Sequence, residues 1–528
     1  MKERISFEHE IALLLPAAGA TELAHETAKE VLTRRIKHLS LLPHRAVQGG
    51  KDVALTPAVA DPKFYDGPSA YRIAPKLQGC LMSVMKQRKF AHIRVAIADL
   101  TKDAKAPEFA GYKHKEQVFV ASIAKIAVVL AAFQLRHDLN IGAASVPSGT
   151  LDDLFSKVRY SWAATQVDPG GKPVPFAGSI QLRGKLVQSG GAKLGFGGSL
   201  KSSGDKIEVP KAPDLERVLI SGPTGKGLVF SSTHDTVDAL IKLVKLVRRF
   251  NLADEEETLN AARKKLTQAT ENVKRARTSV ERRSAAARRK EAVKAVETAE
   301  EARNKAEKEK PAAEKEIKAL GFLERLGIAA GGAVPASNLA TSTVVADIGF
   351  HYIASTLLQT GLFDPNRNGG LWLGADYVNT IWRGAPGGGH ATSATAASLV
   401  AFMTLLAQGA LVSKTASEHM AKMMIKPPTQ FSASTSWFRE GLASRPPKRV
   451  ISKIGLKDGA DEVALIEREV EAEVEDDQGH KTKKNITLVY AVAALRAKDP
   501  LELQSLIQEL DNCILANNDL PTKVGMRL

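Results

Sequence analysis

The stretch VFVASIAKIAVVL, Val118–Leu130, decides how the rest of the chain is read. It sets Ser122 three positions ahead of Lys125 at the mouth of an apolar run that continues through AAFQL. Residues three apart on a helix share a face, so the two side chains can meet. A serine hydroxyl is a poor nucleophile at its own pKa and needs an adjacent base. An ammonium in a desolvated cleft, or beside other cations, gives up its proton more readily and can serve as that base. Alone the pair is a weak signal, because the same spacing recurs by chance and also suits the start of a buried helix. A helix this apolar must lie in the middle of a packed domain, so the flanking sequence carries the decision.

Upstream, HIRVAIADL (His92–Leu100) alternates Ile93, Val95 and Ile97 with residues of the other face, the pattern of a half-buried strand. EQVFVAS reads as a second strand leading into the helix. Downstream, GGAVPASNLATSTVVADIGFHYIASTLLQTGLF and HATSATAASLVAFMTLLAQGALVS are helix-rich and apolar. VALIEREVE and ITLVYAVAAL read as strands around a polar turn at DDQGH, and a last helix sets Leu503, Leu506, Leu510 and Cys513 on one face. Strands near both chain ends with helices between them imply an α+β fold whose antiparallel sheet is formed by both ends.

In chain order, VASIAK, ASN and SKIG resemble the three active-site elements of penicillin-recognising serine enzymes, Ser-x-x-Lys, Ser-x-Asn and Lys-Thr/Ser-Gly. The flanking segments make class A β-lactamases the nearest family, over roughly residues 75 to 140 and 330 to 520. The resemblance implies a β-lactamase/transpeptidase-like sheet with a helical subdomain, and acyl transfer through an acyl-serine. Ser122 would be the nucleophile and Lys125 its base. Asn338 would hold a substrate amide and contact Lys125, while Lys453 would attract a substrate carboxylate. Gly455 would let a strand backbone approach the substrate, and the N–H groups of Ser122 and of the Lys453 strand would form the oxyanion hole. The residues read more plainly as well: Asn338 suits a helix N-cap, and Lys453 a solvated strand end among Lys448 and Arg449.

The departures are specific. Ala336 stands where the family's second motif has its serine, and the adjacent Ser337 can substitute only in a shifted loop. Ile454 replaces the hydroxyl residue of the third motif. The class A deacylating glutamate has no counterpart: between His351 and Thr415 the acids are Asp364 and Asp376, and Asp376 is the better placed of the two. An acyl-enzyme without such a base hydrolyses slowly. A catalytically impaired β-lactamase-fold scaffold, whose basic coil mediates protein or polyanion binding, is the competing reading.

With 528 residues, 44% of them hydrophobic, the chain can bury a sizeable core. It divides into an extension (1–75), a discontinuous hydrolase-like domain (76–140 and 330–528), a Gly-rich insertion (141–250) and a basic helical hairpin or coiled coil (251–320). SGPTGKG fails as a phosphate loop at Ile220 and Gly227. Much of the net charge of +16 sits between Arg263 and Lys310. There Leu259, Ala262, Leu266, Ala269, Val273, Ala276 and Val280 form a heptad seam with no Gly or Pro from Leu252 to Lys310. One straight helix would span on the order of 85 Å, so a hairpin folding back near Ser284 is the better reading. Self-association or a protein partner through residues 255–318 is a further expectation; the interspersed glutamates argue against nucleic acid.

The motifs call for no metal and no cofactor, and for a small-molecule or peptide substrate with a carboxylate. Cys80 and Cys513 read as two buried free thiols rather than a bridge. No run reaches membrane-spanning length. IALLLPAAGA near the N-terminus has the length of a signal-peptide core, but Glu3, Glu8 and Glu10 precede it, so a cytoplasmic location is the default expectation.

Overall fold

A computed structural model describes residues 72–143, 245–320, 322–332, 335–364, 369–375, 377, 390–412, 414–426, 436–457, 459–475 and 481–520, with short strands at 47–48, 51–52, 179–182, 185–188, 199–202, 205–208 and 383–384. The signal-like stretch, Asp376, the DDQGH turn and most of the Gly-rich region lie outside the described residues. Among the described residues no helix is long and apolar enough to cross a membrane.

The fold is mixed α+β around a six-stranded sheet. Its strands are β1 (Arg72–Ile73), β2 (Arg94–Asp99), β3 (Glu108–Tyr112), β7 (Arg449–Leu456), β8 (Ala460–Glu475) and β9 (Lys481–Ala497), in the order β7-β8-β9-β2-β3-β1. The pairs are antiparallel except β1 with β3, which is parallel. The C-terminal hairpin β8–β9 thus pairs directly with β2 from the N-terminal part, in the register Val492↔Ile97. The second sheet strand is Glu108–Tyr112. The expected one at EQVFVAS supplies only β4 (Val118–Phe119), in a small separate sheet with β5 (Trp372–Leu373) and β6 (Thr392–Ala394).

Both faces of the central sheet are covered. Val95 and Ile97 of β2 join Tyr490, Val492 and Ala494 of β9 beneath the back helices, α1 (Pro75–Met85), α11 (Trp437–Gly441) and α12 (Pro500–Asn517). Ala96, Ala98, Ala491 and Ala493 face the other way, against α9 (Ala396–Ala407). The alternation along HIRVAIADL therefore does not mark a solvated face. It alternates large with small apolar residues, and the alanines let α9 pack close. On α2 (Lys125–Ala143), Ile126 to Ala132 are all at most 1% exposed, because the helix is enclosed by α6 (Phe322–Ala330), α7 (Asn338–Ile348), α8 (Phe350–Gln359) and α10 (Lys414–Met424), with Trp372–Leu373 closing the remaining side. A buried ion pair at 2.9 Å, Arg325 on α6 with Asp347 on α7, fixes those two helices together.

The insertion forms an antiparallel helical hairpin, α3 (Ala253–Arg275) and α4 (Ser279–Glu307), followed by α5 (Lys310–Ala319). The chain reverses at 276–278 rather than near Ser284. Thr278 caps α4, Glu281 reciprocates, and the Glu281 carboxylate accepts from the backbone N–H of Arg277 and Thr278, both at 2.9 Å. Ala276 ends α3 and Val280 lies past the turn, so neither extends the seam. The seam that does form uses Leu259, Ala262 and Ala269 on α3 against Ala285, Ala292 and Ala299 on α4.

The cysteines correct the sequence reading. Cys80 on α1 and Cys513 on α12 form a disulfide, their Cα atoms 5.6 Å apart across a separation of 433 residues. Each lies on the apolar face of its helix, and the two faces meet over the back of the sheet. Closing so long a loop restricts the unfolded chain strongly, so Cys80→Ala and Cys513→Ala should each lower the unfolding free energy by about 2–4 kcal/mol. Thiol titration of the unreduced, denatured protein should find no free thiol; two thiols per chain would refute the bridge.

Candidate active site

Ser122 sits in a tight 3-10 turn, Ala121–Ala124, that runs straight into α2. The turn is strained: Ala121 has φ +43°, a region that residues with a Cβ seldom occupy. Three contacts hold it there. The Val120 N–H donates to the Thr392 carbonyl at 3.2 Å. The Tyr377 hydroxyl donates to the Ala121 carbonyl at 3.1 Å. The outer edge of β7 presses against the turn from a third side, and a Cβ added at Gly455 would lie 2.5 Å from the Val120 carbonyl oxygen. Gly455 thus permits a close approach to the backbone ahead of Ser122, a contact different from the approach to substrate that the motif resemblance implies.

Lys125, the first residue of α2, is 1% exposed, and its ammonium donates to the Asn338 Oδ1 at 2.8 Å. Asn338 opens α7, yet its side chain does not cap that helix; Ser337 occupies the N-cap position. The ring of Tyr377 covers the Lys125 ammonium, with its centroid 4.8 Å away. Burial pulls the Lys125 pKa down to about 7. Its place at the positive end of α2 works in the same direction.

Lys453 is not a solvated strand end. It faces inward from β7 and is 2% exposed. Its ammonium lies against Gly331, where a Cβ would come within 2.7 Å of Nζ, and Gly331 has φ +67°, doubly requiring glycine. A third buried lysine, Lys426, donates from Nζ to the Gly331 carbonyl. Burial first, then the charges of Lys125 and Lys426, lower the Lys453 pKa well below its ordinary value. Burial lowers Lys426 to about 8, against the attraction of Glu462. Ammonium groups crowded out of water penalise one another, and an anionic ligand would relieve that penalty. Among the described residues, neither Lys125 nor Lys453 is paired with a carboxylate.

The structure therefore brings Ser122, Lys125, Asn338, Lys453 and Gly455 into one region. Ser337 is placed differently: it is 1% exposed, and its buried hydroxyl makes no hydrogen bond. Its carbonyl accepts from the Thr341 hydroxyl at 2.7 Å, which fixes it as the start of α7. Ile454 packs into the core behind the sheet, so the middle residue of the third motif faces away from Lys453 and Gly455. Tyr377, Lys426 and Gly331 were not singled out from the sequence. Only local hints exist for them: an aromatic beside Asp376, a lysine ending MMIKPP, a Gly-Gly pair before the second motif.

The insertion reaches the site from behind. Val247, in a helical stretch over 245–251, and Ile317 on α5 pack with Ile328, Leu339 and Ala340, just past Asn338. Asn251 Nδ2 donates to the Ala336 carbonyl at 3.2 Å. The root of the hairpin thus braces the loop that presents Asn338. A separate cavity of about 250 Å³, bordered by Leu406, Lys414, Lys422, Arg449 and Ile451, holds none of the residues above. Among the described residues, no group of three His, Cys, Asp or Glu is placed to hold a metal ion.

The contact at Gly455 is open to test. Gly455→Ala must displace the Val120 carbonyl and should destabilise the protein by about 1–3 kcal/mol. Gly79→Ala, in α1 with nothing within 4 Å of the new methyl, should be neutral or stabilise by up to about 1 kcal/mol. Equal effects in denaturant unfolding would refute the close approach.

Comparison with known proteins adds no relative: no family model matches the chain, and it has no significant match among curated proteins or solved structures.

Proposed function

We propose that this chain is a serine hydrolase resembling class A β-lactamases, transferring an acyl group from an amide or ester to water through Ser122. The reading rests on Lys125, a buried lysine one helical turn from a half-exposed serine, held by Asn338 and drawn by burial to a pKa of about 7. At neutral pH a substantial fraction of Lys125 is unprotonated and able to act as a base.

In the first step Lys125 Nζ takes the Ser122 hydroxyl proton as Oγ attacks the substrate carbonyl carbon. The carbonyl π electrons move to its oxygen, at the positive end of α2. Collapse of that intermediate breaks the bond to the leaving nitrogen or oxygen, which takes up a proton, and leaves an acyl-serine. Water then attacks the ester, and Ser122 regains its proton. Lys453 and Lys426 supply a positive region suited to a substrate carboxylate. Ala336 offers no hydroxyl to relay the proton to the leaving group, which favours esters and activated amides. With no counterpart of the deacylating glutamate, the second step is the slow one. The Cys80–Cys513 bridge favours an oxidising compartment over the cytoplasmic default. The competing reading, a scaffold with impaired chemistry, draws its support from Ala336 and the enclosed Ser337 hydroxyl.

Intact-protein mass spectrometry after incubation with a penicillin should find a persistent adduct of the drug's mass on the parent and none on Ser122→Ala. If neither the penicillin nor a nonspecific activated ester labels the parent, the hydrolase reading fails and the scaffold reading takes its place. The base has its own signature. Because unprotonated Lys125 is the active form, the labelling rate should fall tenfold per pH unit below about 7 and level off above it. A rate independent of pH across that range would exclude Lys125 as the base.

A further inference from the structure

The helical hairpin carries its charge in two unlike halves. Its root, residues 253–273 and 291–310, holds eleven acidic against eight basic side chains. Ion pairs cross between the helices there, Arg263 with Glu300 at 3.0 Å and Arg303 with Glu256 at 2.5 Å. The tip, residues 274–290, holds eight basic side chains, six of them arginines, against Glu281 alone. Glu281 is occupied by the backbone of the turn. Among the described residues, Arg282, Arg283, Arg288 and Arg289 form no ion pair. The only large exposed apolar side chain of the hairpin, Val280 at 76%, stands amid this charge.

These features narrow the partner. The alanine seam is consumed inside the hairpin, so the tip offers no apolar stripe for a coiled-coil partner. Arginine rather than lysine favours phosphate, which its planar fork engages through two hydrogen bonds. A DNA major groove, about 12 Å wide, admits one helix and not two side by side. An apolar side chain collared by arginines instead suits a bilayer interface, where the apolar group enters the headgroup boundary and the cations meet lipid phosphates. The disulfide between α1 and α12 points the same way, since such bridges persist outside the reducing cytosol, where membranes rather than nucleic acids are the abundant polyanions.

We propose that the hairpin tip, residues 274–290, docks on the phosphate headgroups of an anionic phospholipid bilayer. Helix α3, 23 residues long, spans about 34 Å, so the tip reaches the lipid while the sheet domain stands clear of it.

The test is co-sedimentation of the full chain with vesicles of phosphatidylcholine, with and without phosphatidylglycerol. The chain should bind only the anionic vesicles and release as salt is raised. Changing Arg282, Arg283, Arg288 and Arg289 together to Gln should weaken binding several-hundred-fold, at roughly fivefold per arginine. The same four changed to Lys should bind more tightly than the Gln variant but less tightly than the parent, because the charge stays and the two-bond fork is lost, and Val280→Asp should weaken binding. Unchanged helicity by circular dichroism establishes that the variants fold. Equal binding to uncharged vesicles, undiminished binding of the Gln variant, or saturable binding to duplex DNA or RNA with none to vesicles would overturn the proposal.

Discussion

The hydrogen bond from Lys125 Nζ to Asn338 Oδ1 joins segments 213 positions apart, and the site is organised around the need to bury that ammonium. An unpaired cation out of water carries a large desolvation cost. Here it is met by one amide oxygen and one aromatic face, with no carboxylate, so the proton becomes easier to lose. A carboxylate partner would have stabilised the fold more and kept the lysine charged. The arrangement gives up stability for an amine that loses its proton easily, a trade that is common at functional sites and uncommon in a core built only to pack.

The same trade shapes the neighbourhood. The positive φ at Ala121 persists because β7, β6 and Tyr377 each hold one side of the turn. Each of the three belongs to a different part of the chain, so the turn takes its shape only when the sheet and the helical subdomain have docked. The disulfide and the long β8–β9 hairpin bind the two ends of the sheet domain together. Beneath them, β7 is the edge against which the Ala121–Ala124 turn is set.

How much was legible follows from the range of the interactions. Ser122 and Lys125 could be paired from the sequence because helical geometry fixes residues three apart. Asn338 and Lys453 could be joined to them only through a resemblance of motif order, since no local rule reaches across such separations. The burial of Lys453 was hidden by its basic neighbours Lys448 and Arg449, which lie at the exposed start of the strand and pair with Glu469 and Glu467, while Lys453 lies further along it under cover. Gly331, Lys426 and Tyr377 act through tertiary proximity alone. The disulfide was missed for the same reason: a pair of cysteines has no spacing signature. The hairpin turn was different. Thr278-x-x-Glu281 is a readable capping box, and the unbroken heptad drew attention past it.

The position of the insertion is itself an argument about how the parts work together. A segment added to a loop far from the cleft could vary without consequence. This one returns through α5 and α6 into the loop before Asn338, and its root is tied there by Val247, Ile317 and the Asn251–Ala336 hydrogen bond. Ala336 is also the position at which the sequence departs from the Ser-x-Asn pattern it resembles. Ala336 carries no hydroxyl, and its backbone carbonyl is held from behind by Asn251. The hairpin root is therefore part of the machinery that positions Asn338, and only the tip, beyond the crossing ion pairs, is free to serve a separate role.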